Sequence, residues 1–123
     1  MPSTDSGVIL AIDDDDAVRA SLRFALEVEG FAVEDYRSGE DLLSAEVDRH
    51  ADCVLVDYRL PGIDGMALVS ALRARGIRCP AILMTTDPPA EARQRASDAG
   101  VTIIEKPLLG NVLTESIRAA VGA

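Results

Sequence analysis

Four charged side chains follow apolar runs at the points where predicted strands end. Asp13 and Asp14 come directly after Val8–Ile12, and Asp57 and Lys106 each close a later run. Lys106 is the single lysine among 12 basic residues. Carboxylate oxygens suit Mg²⁺ or Mn²⁺, and an ammonium neutralises phosphoryl oxygens. These residue types predict a site for a divalent cation and a phosphoryl group, with Asp57 as the nucleophile.

The remaining acids and the histidine have simpler interpretations. Asp15 and Asp16 continue the acidic run but precede a predicted helix, whose N-terminus acids stabilise. Asp64 lies in Ile63-Asp64-Gly65, a sequence typical of a turn, and is predicted to be a turn residue rather than a ligand. His50 stands alone and is predicted to be exposed rather than part of a site.

Short apolar runs without polar alternation are typical of parallel strands covered on both faces. Four occur, at residues 8–12, 53–56, 81–84 and 101–104, and the more mixed segment 31–36 predicts an edge strand. Helix-length segments alternate with them, at residues 17–29, 39–46, 65–75, 89–99 and 109–121. Ser38 is the predicted N-cap of the second helix. The helix at 89–99 has only alanines as apolar residues, so we expect it to shift more easily than the others.

Five alternations of strand and helix predict a single domain spanning residues 1–123. Right-handed crossovers then give a three-layer α/β/α sandwich around a five-stranded parallel sheet. Ligands of such sheets lie beyond the carboxyl ends of the strands. We expect five polar residues from four separate segments to converge there: Asp13, Asp14, Asp57, Thr85 and Lys106.

Bulk properties narrow the class of protein. The net charge of −9 argues against direct nucleic-acid binding by this segment. No apolar run approaches the roughly 18 residues that a membrane span needs. The N-terminus lacks a signal-peptide pattern, and Cys53 and Cys79 read as small core residues, so we expect a cytoplasmic protein.

The combination of motifs resembles the receiver (phosphoacceptor) domain of two-component response regulators, over residues 8–121. That fold is flavodoxin-like, with strand order 2-1-3-4-5. Val18-Arg19 and Arg59-Leu60-Pro61 are most similar to receivers of the nitrogen-fixation-regulator type, which precede a helix-turn-helix output domain. The resemblance rests on five pieces in order: Ile12-Asp13-Asp14, Val54-Leu55-Val56-Asp57, Leu60-Pro61-Gly62-Ile63-Asp64-Gly65, Met84-Thr85 and Glu105-Lys106-Pro107.

The resemblance implies a phosphorylation switch rather than an enzyme acting on a separate substrate. Asp57 would accept a phosphoryl group from a sensor histidine kinase. Lys106 would pair with the phosphoryl oxygens and Thr85 would hydrogen-bond one of them. Output would be altered dimerisation or docking through the face of the last two helices and the last strand. A DNA-binding output domain would lie outside this chain.

The metal ligands implied by the resemblance are Asp14, Asp57 and the backbone carbonyl of Arg59, while Asp13 would hold a metal-bound water. Receivers tune the phosphoryl lifetime at the positions of Arg59 and Asp87. We therefore hypothesise that these two side chains pair across the site mouth and screen it from water.

Two departures bear on switching. Receivers usually carry Phe or Tyr three positions before the lysine, where this chain has Ile103, so Thr85 and Ile103 are the predicted switch residues. Thr86 stands where Gly or Ala is common and would narrow access to the phosphoryl group. The resemblance also implies a cis peptide between Lys106 and Pro107.

Three other classes of protein share part of this pattern. A haloacid-dehalogenase-like phosphatase needs a second Asp two positions after its nucleophile, where this chain has Arg59. A flavodoxin-like electron carrier needs a phosphate-cradling loop after the first strand, but that loop is rich in Asp. A degenerate receiver that docks without phosphorylation stays open because of Thr86 and Ile103, although every expected acid, Thr and Lys position is filled.

Overall fold

The computed structural model describes residues 7–45, 51–60, 62–86, 88–106 and 112–122. Five strands form one sheet: β1 (Val8–Ile12), β2 (Ala32–Tyr36), β3 (Cys53–Asp57), β4 (Ala81–Thr85) and β5 (Thr102–Glu105). Their order is β2-β1-β3-β4-β5, and every neighbouring pair is parallel. The predicted sheet and strand order are confirmed, with β2 at an edge as the mixed sequence indicated.

Four helices connect the strands and a fifth follows β5: α1 (Asp16–Val28), α2 (Gly39–Ser44), α3 (Gly65–Ala74), α4 (Ala90–Ala99) and α5 (Val112–Gly122). The helices cover both faces of the sheet. Successive strand residues point to opposite faces, so the apolar strands contribute to a core on each side. Leu10 and Leu83 pack with Leu68 of α3 on one face. On the other face, Ile9 and Leu55 belong to a second core cluster, completed from the helices by Leu22, Leu26 and Ile117. The predicted three-layer sandwich is confirmed.

The predicted boundaries shift where polar side chains take part in regular structure. α1 begins at Asp16, one residue earlier than expected, because the Asp15 carboxylate accepts hydrogen bonds from the N–H groups of Ala17 and Val18. Ser38 caps α2 as expected, but that helix ends at Ser44, and the predicted end at Glu46 lies outside the described residues. The predicted start of the last helix, at Leu109, lies outside them too.

The strands that carry the polar residues also shift. β3 and β4 each continue one residue further than their apolar runs, through Asp57 and Thr85, because backbone pairing persists there. β5 is displaced by one residue, to Thr102–Glu105. Phe31 is not part of β2, although it is buried. Asp57 and Thr85 therefore stand on paired strand backbone, whereas Asp13, Asp14 and Lys106 lie just past the ends of β1 and β5.

No helix in the described part of the chain is both long and apolar enough to cross a membrane. Within the same residues, α4 is attached to the core by two small side chains, Ala92 and Ala96. The sequence of this helix has only alanines as apolar residues, and alanines are the residues that it buries.

Candidate functional site: an acidic cluster with one lysine

Asp57 is the last residue of β3, and its residue surface is 8% exposed. Its carboxylate accepts a hydrogen bond from the Arg59 N–H to Oδ1 (3.2 Å). The start of α3 lies against this strand end, since a Cβ on Gly65 would come within 2.8 Å of the Asp57 carbonyl oxygen. Glycine is therefore required at this position for α3 to approach the strand so closely, and Asp57 sits on rigidly placed backbone.

Two further carboxylates meet Asp57 at the carboxyl ends of β1 and β3. One oxygen each from Asp13, Asp14 and Asp57 can be chosen so that all three lie within 4.8 Å of one another. Asp13 is buried, whereas Asp14 is exposed. The structure brings together the three acids that the sequence predicted to converge. Asp64 is absent from this group.

Lys106 completes the cluster from the end of β5. Its ammonium lies 3.2 Å from Oδ2 of Asp13 and 3.3 Å from Oδ2 of Asp57. Its backbone N–H donates to the carbonyl of Thr85 (2.8 Å), which ties the lysine to the end of β4. The single lysine of the chain thus bridges two carboxylates of the candidate site rather than extending over the surface.

The charges of this cluster are unevenly compensated. Burial raises the pKa of Asp57; Lys106 opposes that shift and the neighbouring Asp13 charge adds to it. Burial lowers the pKa of Lys106, but the Asp57 and Asp13 carboxylates outweigh it, so the net pKa is raised. One ammonium therefore stays charged among three carboxylates.

This donor set fits a hard divalent cation. Carboxylate oxygens gathered at one strand edge match the ligands that Mg²⁺ takes, one or two from protein with the rest from phosphate and water. A cation would also favour the ionised form of Asp57, whose pKa is raised mainly by burial and further by the neighbouring Asp13 charge. Asp13, Asp14 and Asp57 are the residues that would hold it.

Thr85 and Ile103 lie on the same face of the sheet. Ile103 is the register partner of Leu83, and Thr85 follows two residues later along β4. Thr85 is buried, and its hydroxyl makes one long hydrogen bond, 3.5 Å to the carbonyl of Thr86, within the described residues. Ile103 is partly buried against the core cluster of this face, and Thr86 is exposed.

Several residues named in the sequence analysis lie outside the acidic cluster or outside the described part of the chain. The side chain of Arg59 is exposed, and its carbonyl as a metal ligand stays a prediction. Its hypothesised partner Asp87 lies outside the described residues, as do Pro107, with the predicted cis peptide, and His50. Asp64 is the N-cap of α3, accepting from the Ala67 N–H (2.8 Å), which refines its prediction as a turn residue.

Sequence reasoning missed two polar residues that support the site loops. Arg19 of α1 donates to the backbone carbonyl of Asp13 (2.9 Å). Glu40 of α2 accepts from the N–H of Ile63 (3.0 Å), in the loop that leads from Asp57 to α3. No sequence signal singles out the first, because an arginine on a helix has many potential partners. Nothing local signalled the second, because 23 residues separate its partners.

Comparison with known proteins supports one family. The sequence matches the response regulator receiver domain over residues 9–118. It is 38% identical over 112 residues to the transcriptional regulatory protein FixJ of Azorhizobium caulinodans, covering 90% of this chain and 53% of the relative. The corresponding protein of Bradyrhizobium diazoefficiens is 34% identical over 119 residues, covering 96% and 58%. The chain thus spans about half the length of these curated relatives.

Solved structures agree in fold. A receiver domain protein of Methanospirillum hungatei superposes with a TM-score of 0.84 at 28% identity, and 94% of each chain is covered. One from Clostridium thermocellum gives a TM-score of 0.85 at 23% identity, again with 94% of each covered. The resemblance read from the five motifs is confirmed, including the likeness to nitrogen-fixation regulators. The chain belongs to the response regulator receiver domain family and is the receiver domain of a two-component response regulator.

Proposed function

We propose that Asp57 is the phosphoacceptor of this receiver, working with Mg²⁺ or Mn²⁺ held by the acidic cluster. The observation that carries the proposal is the convergence of three carboxylates and Lys106 on one strand edge. A bound cation would neutralise the oxygens of the transferred phosphoryl group. We propose the whole of residues 1–123 as this single functional unit.

The chain's own residues have distinct roles in the transfer. A carboxylate oxygen of Asp57 attacks the phosphorus of a phosphohistidine on a sensor kinase. The new P–O bond forms as the P–N bond breaks, and the electron pair of the P–N bond returns to the imidazole nitrogen. The Lys106 ammonium, which already bridges Asp13 and Asp57, is placed to pair with the incoming oxygens. Burial of Asp57 limits access of competing water.

The conformational response would begin at Thr85. Its hydroxyl has only a long contact to Thr86 within the described residues, so turning towards a phosphoryl oxygen sacrifices little. Ile103 lies on the same sheet face and would repack into the space that Thr85 vacates. Because an isoleucine has no hydroxyl, this switch would act through packing alone. It would shift a pre-existing equilibrium of α4 and β5.

The partners follow from this mechanism as part of the proposal. A cytoplasmic sensor histidine kinase would supply the phosphoryl group, and phosphorylation would alter the face formed by α4, β5 and α5. That face would serve dimerisation or docking of a DNA-binding output domain. The similarity to FixJ proteins, which are transcriptional regulatory proteins, supports the choice of output.

Intact mass after incubation with Mg²⁺ and acetyl phosphate tests the phosphoacceptor. The wild type should gain one phosphoryl group, and Asp57→Asn should gain none. Asp64→Asn is the matched control, since this acid lies outside the carboxylate group, and it should be labelled like the wild type. Chelation of the metal should abolish labelling. Equal masses for wild type and Asp57→Asn would overturn the proposal and favour a domain that docks without phosphorylation.

A further inference from the structure

Arg19 makes three polar contacts from a largely buried position on α1. Its side chain is 16% exposed. Nη2 pairs with Asp16 (2.5 Å) and Nε lies 3.4 Å from Asp35 on β2. Nη1 donates to the backbone carbonyl of Asp13 (2.9 Å). The third contact matters for the site, because it directs a guanidinium N–H to main chain at the edge of the acidic cluster.

The carbonyl of Asp13 lies just beyond the regular pairing of β1. Strand register ends at Ile12, which pairs with Tyr36 and Val56. The Asp13 N–H still reaches the Tyr36 carbonyl (3.2 Å). For the Asp13 carbonyl, Arg19 is the donor that the described residues supply. The sheet therefore fixes one side of this residue and Arg19 fixes the other.

Fixing this carbonyl also fixes the course of the chain into Asp14. The peptide unit is planar, so holding the Asp13 oxygen sets the plane that leads to the Asp14 Cα. The carboxylate of Asp13 is separately held, by the Asp15 N–H (3.0 Å) and Lys106 (3.2 Å). The exposed carboxylate of Asp14 makes no hydrogen bond or ion pair with other residues in the described ranges. Its placement consequently depends on the backbone that Arg19 holds.

Two effects of Arg19 on a cation oppose each other. Its positive charge near the acidic cluster would weaken cation binding, whereas its hold on the backbone would strengthen it. The charge is already balanced by two carboxylates, Asp16 and Asp35, that lie outside the cluster. The hydrogen bond to the Asp13 carbonyl has no such competitor. Positioning should therefore outweigh repulsion.

We propose that Arg19 is a positioning residue of the cation site, holding the Asp13–Asp14 peptide in the orientation that lets both carboxylates face Asp57. This inference rests on the proposed function in so far as the cluster binds a divalent cation. Arg19 itself contacts neither the cation nor the phosphoryl group. Its effect is exerted through the backbone.

The chain contains a matched control one helical turn further on. Arg23 also lies on α1 and also pairs with Asp35 (2.8 Å). Its second partner is Glu27 (3.0 Å), so both of its contacts are to side chains and neither reaches the loop after β1. Substituting either arginine by lysine preserves charge and removes the forked guanidinium. Only at position 19 should this affect the site.

Mg²⁺ titration by calorimetry on the wild type and both variants tests the proposal. Arg19→Lys should weaken Mg²⁺ binding by roughly 10- to 100-fold, as is usual when a residue that orients a metal ligand is lost. Arg23→Lys should bind as the wild type does. In the metal-free protein, the backbone amide signals of Asp14 and Asp15 should move in Arg19→Lys and stay in place in Arg23→Lys.

Each contrary outcome has a distinct meaning. Unchanged Mg²⁺ affinity in Arg19→Lys, or equal loss in both variants, would overturn the positioning role alone. A wild type that binds no Mg²⁺ would overturn the proposed cation site itself. If Arg19→Lys folds poorly, Arg19→Gln provides a second variant, with Arg23→Gln as its control. Arg19→Gln removes the positive charge together with the forked guanidinium, so relief of repulsion alone would strengthen Mg²⁺ binding, whereas loss of the bond to the Asp13 carbonyl should weaken it. Affinity equal to or above that of the wild type would contradict the proposal.

Discussion

The helices α3 and α4 are both ten residues long, yet they are attached to the sheet in different ways. α3 buries four large apolar side chains: Met66, Leu68, Val69 and Leu72. α4 buries only Ala92 and Ala96. The Asp64 carboxylate caps α3, whereas Pro89 gives α4 no side-chain cap. Since hydrophobic attachment scales with buried apolar area, α3 is held much more firmly.

Arginine contacts replace part of the missing apolar attachment of α4. Arg73 donates to the carbonyl of Ala99 (2.8 Å), and Arg93 pairs with Glu105 (2.6 Å). The side chains of the ion pair are both about half exposed, so its contribution is small, about 0.2–1 kcal/mol. The receiver therefore has a firmly attached side and a weakly attached side. Asp57 lies beside the firmly attached α3, whereas Thr85 and Ile103 lie on the strands that precede and follow the weakly attached α4.

The largest expected effect comes from the firm helix. Leu68→Ala should lower the free energy of unfolding by about 2–5 kcal/mol, since it empties a fully buried position. Ala92→Gly in α4 should lower it by about 1–2 kcal/mol, from helix propensity and one buried methyl group. Urea denaturation of both variants measures the difference. Equal losses would show that α4 is as firmly attached as α3.

The acidic cluster beside α3 should itself reduce stability. Because the folded-state pKa of Asp57 is raised, mainly by burial, the folded protein holds that proton more tightly than the unfolded chain does. Ionised Asp57 is therefore unfavourable once the pH exceeds its folded pKa, and this cost is absent below the ordinary value of 3.8. Without metal, Asp57→Asn should melt at a higher temperature than the wild type at neutral pH.

A pH series of thermal melts measures this effect. The advantage of Asp57→Asn should shrink as the pH falls and vanish below 3.8, and Mg²⁺ should stabilise the wild type more than the variant. Asp98→Asn, on the exposed side of α4, is the control and should show no such trend. A variant less stable than the wild type at neutral pH would indicate that the pair with Lys106 outweighs the burial of Asp57.

The smallest expected effect concerns the ion pair on α4. A double-mutant cycle of Arg93→Gln and Glu105→Gln should give a coupling energy of about 0.2–1 kcal/mol, which high salt should remove. Both side chains are solvated, at 54% and 56% exposure, so most of the Coulomb energy is screened. A coupling energy above roughly 2 kcal/mol would mean that this ion pair holds α4 strongly, and α4 would then not be more weakly attached than α3.

Much of this fold could be predicted because its apolar runs are unmixed. Runs such as Val8–Ile12 specify strands covered on both faces, and the alternation with helices leaves few topologies. The strand ends were less accessible. The predicted strands end with the apolar runs, just before Asp57 and Thr85, yet backbone pairing with β4 and β5 retains both residues in strands. Side-chain type cannot reveal how far pairing continues.

The charged residues of the site could be predicted, but the hydrogen bonds that hold its backbone could not. Convergence of Asp13, Asp57 and Lys106 followed from their shared place at strand ends. The bond from Arg19 to a backbone carbonyl could not be read in the same way, because an arginine on a helix has many potential partners.

Amide hydrogen exchange, measured with and without acetyl phosphate and Mg²⁺, tests whether phosphorylation of Asp57 affects α4 but not α3. Amide exchange should change across α4 and β5 in the wild type, remain unchanged in α3, and remain unchanged everywhere in Asp57→Asn. This pattern would show that chemistry at Asp57 shifts the weakly attached helix. Identical responses in wild type and Asp57→Asn, or a wild-type response in α3 without one in α4, would contradict it.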